Sequence, residues 1–195
     1  MSEDKLKRDL SILVAMAPEM ETYLNSNVLF WHMSTSRMPA LTLGGYLIRQ
    51  HRLIALQDLL TGAHSSQLNT AVHQYSDALD EKIVRFEQKA QRELGARLRQ
   101  WGEYLKDADQ GVATSTSNYR TAVEVRAMIA ALQDQMQIAP YTLDPHTLQQ
   151  TALLDNQLRR LWEPGEFIWS DEWQPAYSQT EYWWLYGKPR GKRRP

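Results

Sequence analysis

This chain of 195 residues is long enough to bury one sizeable core. It has no cysteine, which excludes disulfides, thiolate metal sites and cysteine nucleophiles and fits a reducing compartment. Its 22 basic and 23 acidic residues nearly balance, yet Lys188, Arg190, Lys192, Arg193 and Arg194 crowd into the last eight positions; without those five, 17 basic residues face 23 acidic ones, a net of −6 over residues 1–187.

The N-terminus mixes both signs of charge at Glu3, Asp4, Lys5, Lys7 and Arg8, unlike a signal peptide. No apolar run approaches the about 18–20 residues that span a bilayer. The expectation is a soluble, cytoplasmic protein with no membrane partner.

In the first segment apolar residues recur at Leu6, Leu10, Leu13, Ala17, Met20, Leu24, Val28 and Trp31, one face of a helix. Pro18 removes a backbone donor and disfavours helical geometry at Ala17, so the spacing predicts a kinked helix or two nearly collinear ones. A loop is expected from Ser34 to Pro39. A second helix should begin near Thr42 or Leu43 and end at Gly62, which suits a left-handed C-terminal cap.

From about Ser66 to Asp107 the apolar positions run Leu68, Val72, Tyr75, Leu79, Ile83, Phe86, Ala90, Leu94, Leu98, Trp101 and Leu105. Their spacing predicts one straight helix of roughly 60 Å rather than a left-handed coiled coil. Glu81/Arg85 and Glu93/Arg97 read as ion pairs on its outer face. After a small-residue turn at Gly111–Ser117, a further helix is expected from about Asn118 to Gln137, with Ala122, Val125, Ile129, Leu132 and Met136 inward. Asp144-Pro145 is a helix start, the Asp capping and the Pro at the first helical position. That last helix should turn Leu148, Ala152, Leu158 and Leu161 inward and stop before Glu163-Pro164-Gly165. No segment alternates as a strand. The reading is an all-α, elongated helical bundle of about five helices with one long central helix and an irregular aromatic-rich C-terminal arm. The bundle is assigned to residues 1–162, the arm packed on it to 163–187, and a flexible basic tail to 188–195.

No constellation for chemistry stands out. None of His32, His51, His64, His73 and His146 has an acid three residues before it or another histidine four away, so neither a di-iron nor a zinc-protease pattern is present. There is no nucleophile elbow and no phosphate-cradling loop. Gly44-Gly45 offers backbone donors to an anion, though close helix packing is the plainer account. Arg49, Gln50, His51 and Arg52 have the side chains to read base edges, but the irregular stretch before them does not resemble a helix-turn-helix. The chain is read as a non-enzyme with no catalytic residue, metal or cofactor.

The distinctive feature is the arm. Nine of the 19 aromatic residues lie between Trp162 and Tyr186, beside Glu163, Glu166, Asp171, Glu172 and Glu181 and without any Lys or Arg. So many rings must dock, either on the bundle's own core or on something else. Trp169, Trp173, Tyr177, Trp183 and Trp184 are therefore the partner-binding candidates, for a protein partner or for self-association. An enzyme reading would need an acid such as Glu166 or Asp171 partly buried beside these rings. The alternative function is an accessory nucleic-acid-binding protein using Lys188, Arg190, Lys192, Arg193 and Arg194, helped by Arg49, Arg52, Arg159 and Arg160.

Leu41-Thr42-Leu43-Gly44-Gly45-Tyr46-Leu47, the pattern Arg97-Leu98-x-x-Trp101-x-x-Tyr104-Leu105, and the ending Tyr182-Trp183-Trp184-Leu185-Tyr186-Gly187-Lys188-Pro189 are similar to pieces of an uncharacterised bacterial all-helical family with no assigned activity. The resemblance implies a bacterial cytosolic protein and carries over no functional residue.

Overall fold

The computed structural model describes residues 3–190. The fold is predominantly helical. Seven α-helices appear among the described residues: α1 (Glu3–Met16), α2 (Met20–Asn25), α3 (Leu43–Ala55), α4 (Gly62–Glu81), α5 (Ile83–Asp109), α6 (Thr116–Met136) and α7 (Pro145–Leu161). Two short strands follow, β1 (Trp162–Phe167) and β2 (Tyr186–Pro189). None of the helices is long and apolar enough to cross a membrane, among the described residues.

Packing groups the chain into two compact units. The first comprises the chain up to Glu93 together with Ala131–Thr142; the second comprises Leu94–Ala130 and the chain from Leu143 onward. The aromatic arm thus shares a unit with α7 and most of α6.

In the first unit, Pro18 divides α1 from α2 through a 3-10 turn at Ala17–Glu19, where its missing N–H falls at a helix start and costs nothing. The apolar face keeps phase across the break: Leu6, Leu10, Leu13, Met16, Met20, Tyr23 and Leu24 are all buried. Glu19 then ties down the following loop, accepting from the Trp31 indole at 2.7 Å, the Ser34 backbone N–H at 3.0 Å and the Ser34 hydroxyl. These hydrogen bonds to the charged form lower its pKa against the opposing effect of burial, which is the larger single influence.

Thr42 caps α3 by accepting from the Gly45 N–H at 2.9 Å. The backbone donors at this helix start do hold an anion, and it is the protein's own. The carboxylate of Glu93 accepts from the N–H of Leu43 at 2.8 Å and of Gly44 at 3.1 Å. Buried at 1 % exposure, Glu93 is not on the outer face expected for it, and Arg97 is buried as well.

Three other expectations fail here. The second helix ends at Ala55 instead of Gly62, because Gly62 opens α4 and Thr61 caps it by accepting from the His64 N–H at 3.3 Å. The long spine is not continuous: α4 stops at Glu81 and α5 restarts at Ile83, with Lys82 outside helical geometry at φ −127°, ψ 36°. Asp77, Asp80 and Glu81 crowd the last turn of α4 at helical spacing, where their mutual repulsion weakens the helix and the carbonyl end repels them further. Lys82 turns to Glu21 at 3.3 Å, and the expected Glu81/Arg85 pair does not form across the break. Third, α7 does not face inward through Leu148 and Ala152, which are exposed; Thr151 and Leu158 are its buried positions. A Thr is tolerated there because its hydroxyl donates to the Thr147 carbonyl at 2.9 Å.

The hairpin is a further departure. β1 and β2 pair antiparallel, with Trp162 opposite Pro189, Glu163 opposite Lys188, Pro164 opposite Gly187, and a bulge before Phe167 meets Tyr186. Residues separated by a long irregular excursion form it, so no local alternation announces it. Gly187 sits at φ +146°, where an added Cβ would fall 2.3 Å from the Glu163 carbonyl oxygen and 2.7 Å from the Trp162 ring. Gly187→Ala is expected to cost roughly 2–4 kcal/mol. A chemical-denaturation midpoint equal to that of the parent chain would show that the hairpin tolerates the crowding.

The first unit also predicts an alkaline limit. Tyr46 and Tyr75 stack at 4.5 Å between centroids, and the buried Tyr75 hydroxyl has no hydrogen-bond partner among the described residues. Burial raises the pKa of both, and for Tyr75 the neighbouring Tyr46, Tyr141 and Glu93 add to it. A raised folded-state pKa means that the unfolded chain gives up its phenolic proton first, near pH 10. Their contribution to stability is whole below about pH 10 and is lost as pH rises above it. Tyrosinate absorbance of the folded protein should lag behind that of the urea-unfolded chain; superimposable titrations would contradict this.

Candidate functional site

In the second unit the arm is locked to α6 by hydrogen bonds that run both ways. Arg120 donates through Nε to the Ile168 carbonyl at 2.9 Å, while its own carbonyl accepts from the Trp169 indole at 3.1 Å. From the preceding residue, the Tyr119 hydroxyl donates to the Trp184 carbonyl at 2.5 Å. Tyr119 is wholly buried, and burial pushes its phenol well above the ordinary value, with Tyr104 adding to the shift and the Arg126 charge opposing it. At 8 % exposure, Arg126 is paired across to α7: Nε and Nη2 reach the two oxygens of Asp155, each at 2.8 Å, and the guanidinium lies 5.0 Å over the Trp184 ring. A two-pronged ion pair of this kind fixes direction as well as distance.

The rings form two groups. One is a ladder from α5 outward: Trp101 stacks on Tyr104 at 5.4 Å, Tyr104 meets Tyr119 at 6.1 Å, Tyr119 meets the edge of Trp162 at 5.8 Å, and Trp162 meets Trp183 edge-on at 5.2 Å. The Arg159 guanidinium closes the outer end, 3.8 Å above the Trp183 ring centre. The other group is a knot within the arm, where Tyr177 meets Trp169 at 5.2 Å and Tyr182 at 5.0 Å, and Tyr182 meets Trp184 at 5.5 Å. Edge-to-face contacts predominate in the knot, as ring quadrupoles prefer.

The partner-binding candidates therefore separate. Trp169, Tyr177 and Trp184 are sealed inside the unit and cannot meet a partner without unfolding it. Trp173 and Trp183 are half-buried and reach the surface. The basic candidates separate too. Lys188 belongs to β2 and donates through Nζ to the Thr116 hydroxyl at 3.1 Å. Arg190 donates its backbone N–H to the Leu161 carbonyl at 2.7 Å and its guanidinium to the Arg160 carbonyl at 3.1 Å. The assignment of a flexible tail from residue 188 is thus corrected for Lys188–Arg190, because the hairpin register carries the chain through them. Lys192, Arg193 and Arg194 lie outside the described residues.

Of the auxiliary arginines, Arg52 is buried and donates to Asp9 at 2.9 Å, with Arg49 3.6 Å from the same carboxylate. Neither forms a base-reading edge. An open cleft of about 430 Å³ lies beside the hairpin, bordered by Arg120, Lys188, Glu163, Glu166 and Phe167. Glu166 and Asp171 are exposed, so the partly buried acid beside the rings that catalysis would require is not formed by either. No three His, Asp or Glu side chains among the described residues converge to hold a metal ion.

Tyr119, Arg126 and Asp155, which organise this region, are not singled out by spacing, and Arg159 is marked only as an auxiliary nucleic-acid candidate, not as a partner of Trp183. One signal was there: an arginine inside the apolar run from Ala122 to Leu132, and an aspartate after Leu153-Leu154, each demanding an opposite charge. Comparison with protein-family models, curated proteins and solved structures finds no match for this chain.

Two tryptophans adjacent in sequence should respond differently to truncation. Trp184→Ala opens a fully buried site and is expected to cost about 3–5 kcal/mol; Trp183→Ala, half-exposed, should cost no more than about 2 kcal/mol. Equal shifts in a urea titration would disprove the division between sealed and presented rings.

Proposed function

We propose that the chain is a non-enzymatic protein-interaction module whose docking surface is the outer end of the ring ladder: Trp183, with Trp162 edge-on behind it and Arg159 across its face. The observation that carries the reading is the 3.8 Å stack of Arg159 on a half-exposed Trp183. Trp, Tyr and Arg are the residues that dominate binding energy at protein interfaces. The surrounding packing supplies what a docking surface needs, since the Tyr119 hydroxyl holds the backbone at Trp184 and Trp162 packs edge-on against the Trp183 ring, leaving little order to be gained on binding.

Side-chain docking is favoured over strand addition. Pro164 lacks a donor, and the bulge between Pro164 and Phe167 disrupts the ladder, so β1 is a poor template for a third strand. A cytoplasmic setting suits a cysteine-free chain. The alternative, nucleic-acid contact through the basic tail, has less support, because Lys188 and Arg190 are engaged by Thr116, Leu161 and Arg160.

Deleting residues 163–195 is a poor test, since it removes buried Trp184 and Tyr177 together with the surface. Trp183→Ala and Arg159→Ala are the informative variants. Self-association by native mass spectrometry and quantitative affinity capture with the tagged chain should both be compared with the parent. A hot-spot truncation of about 2 kcal/mol weakens association about 30-fold. If both variants keep the parent's partners and affinities, the reading is wrong.

A further inference from the structure

A second cleft, in the first unit, has a different character. It occupies about 430 Å³ between the end of α2 and the outer face of α5. α2 ends at Asn25, and Ser26 turns the chain into extended backbone at ψ 164°. The Ser26 N–H satisfies the Thr22 and Tyr23 carbonyls of the last turn, and the carbonyls of the loop beyond need donors of their own. Lys89 meets the carbonyls of the loop that follows, donating through Nζ to Ser26 at 2.9 Å and Val28 at 2.8 Å and to the Ser26 hydroxyl at 3.2 Å. Arg92 adds a bond to the Asn27 carbonyl at 3.2 Å. Lys89 is only 3 % exposed and rests 4.0 Å from the centre of the Tyr23 ring.

This pairing accounts for Lys89 and for one arm of Arg92. It does not account for Arg85, one helical turn before Lys89, which is exposed and has no partner among the described residues. Arg85, Lys89 and Arg92 all line the cleft, and no carboxylate does; the remaining polar lining includes Asn27, Gln88 and Gln91. Three cations within about two turns, roughly 10 Å of helix, exceed what the loop carbonyls of Ser26, Asn27 and Val28 use. The surplus registers on Lys89, whose pKa is lowered to about 8 by burial first and by the charges of Arg92 and Arg85 besides, with Glu93 opposing.

We infer that this cleft binds the multiply charged phosphate of a small molecule, inorganic pyrophosphate or the polyphosphate of a nucleotide. Arg85 offers a whole guanidinium fork and Arg92 the donors that Asn27 leaves unused, matching the paired oxygens of a phosphate. Lys89, its donors committed to Ser26 and Val28, contributes a fixed charge behind them. A single carboxylate would not need three cations. The volume is that of a small-molecule site and not of a groove that tracks a long polymer.

Calorimetric titration of the full chain at low salt tests this, with pyrophosphate, a nucleoside triphosphate and the corresponding nucleoside as probes. Pyrophosphate and the triphosphate should bind and the nucleoside should not; equal affinities for the first two identify the phosphate as the whole ligand, and tighter triphosphate binding adds the base. Arg85→Gln, at an exposed site, should leave the fold intact by circular dichroism and weaken both polyphosphates about ten-fold or more. Affinity should fall as salt is raised. Absence of polyphosphate binding, affinity unchanged by Arg85→Gln, or binding of a single-stranded oligonucleotide with neither small polyphosphate would each overturn the proposal.

Discussion

A charge carried out of water must be met by an opposite charge or by several hydrogen bonds, and three such meetings organise this chain. Asp9 on α1 receives Arg52 and Arg49 from α3. Glu93 on α5 receives the first backbone donors of α3. Arg126 on α6 grips Asp155 on α7. Each leaves a large penalty if one partner is removed, so each admits few alternative arrangements of the helices it joins. Apolar burial supplies most of the driving force, but it is non-directional and tolerates many packings. The polar meetings select among them.

The aromatic arm shows the same division. Ordering an irregular segment costs backbone entropy at every residue, and only extensive ring burial offsets it. Trp169, Tyr177 and Trp184 provide that burial. What places them is directional: the Tyr119 hydroxyl on the Trp184 carbonyl and the two-way exchange between Arg120 and the chain at Ile168–Trp169. The hairpin then joins both ends of the arm, and Gly187 permits the close approach of its strands. A segment fixed at so many points holds its remaining half-buried rings at little further entropic cost, which supports the docking role proposed for Trp183.

Charge tells a parallel story about function. Most of the arginines that might have served nucleic acid are used within the protein: Arg52 in the Asp9 pair, Arg159 on Trp183, Arg190 on the end of α7. Where cations exceed what the fold uses, around Arg85 and Lys89, an anion site becomes the economical explanation. Sequence position alone marks the basic tail as the electropositive feature, whereas burial and pairing relocate the interest to α5.

Much of the helical architecture was legible in the chain itself. Three- and four-residue apolar steps locate α1, α6 and the buried face of α5; Pro18 locates the break after α1, and Asp144-Pro145 the start of α7. These signals are local, arising from side chains a turn apart and from the dihedral limits of proline. The interruption at Lys82, the reuse of Gly62 as a helix start, and the sheet between Trp162 and Pro189 were decided elsewhere. They depend on which acids crowd a turn and which distant backbone comes alongside, and neither periodicity nor composition carries that information. The same holds for the candidate sites. An indole-rich terminus announces that rings must be buried, but only three-dimensional packing decides that Trp184 is sealed and Trp183 presented, because adjacent side chains leave the backbone in different directions and meet different neighbours.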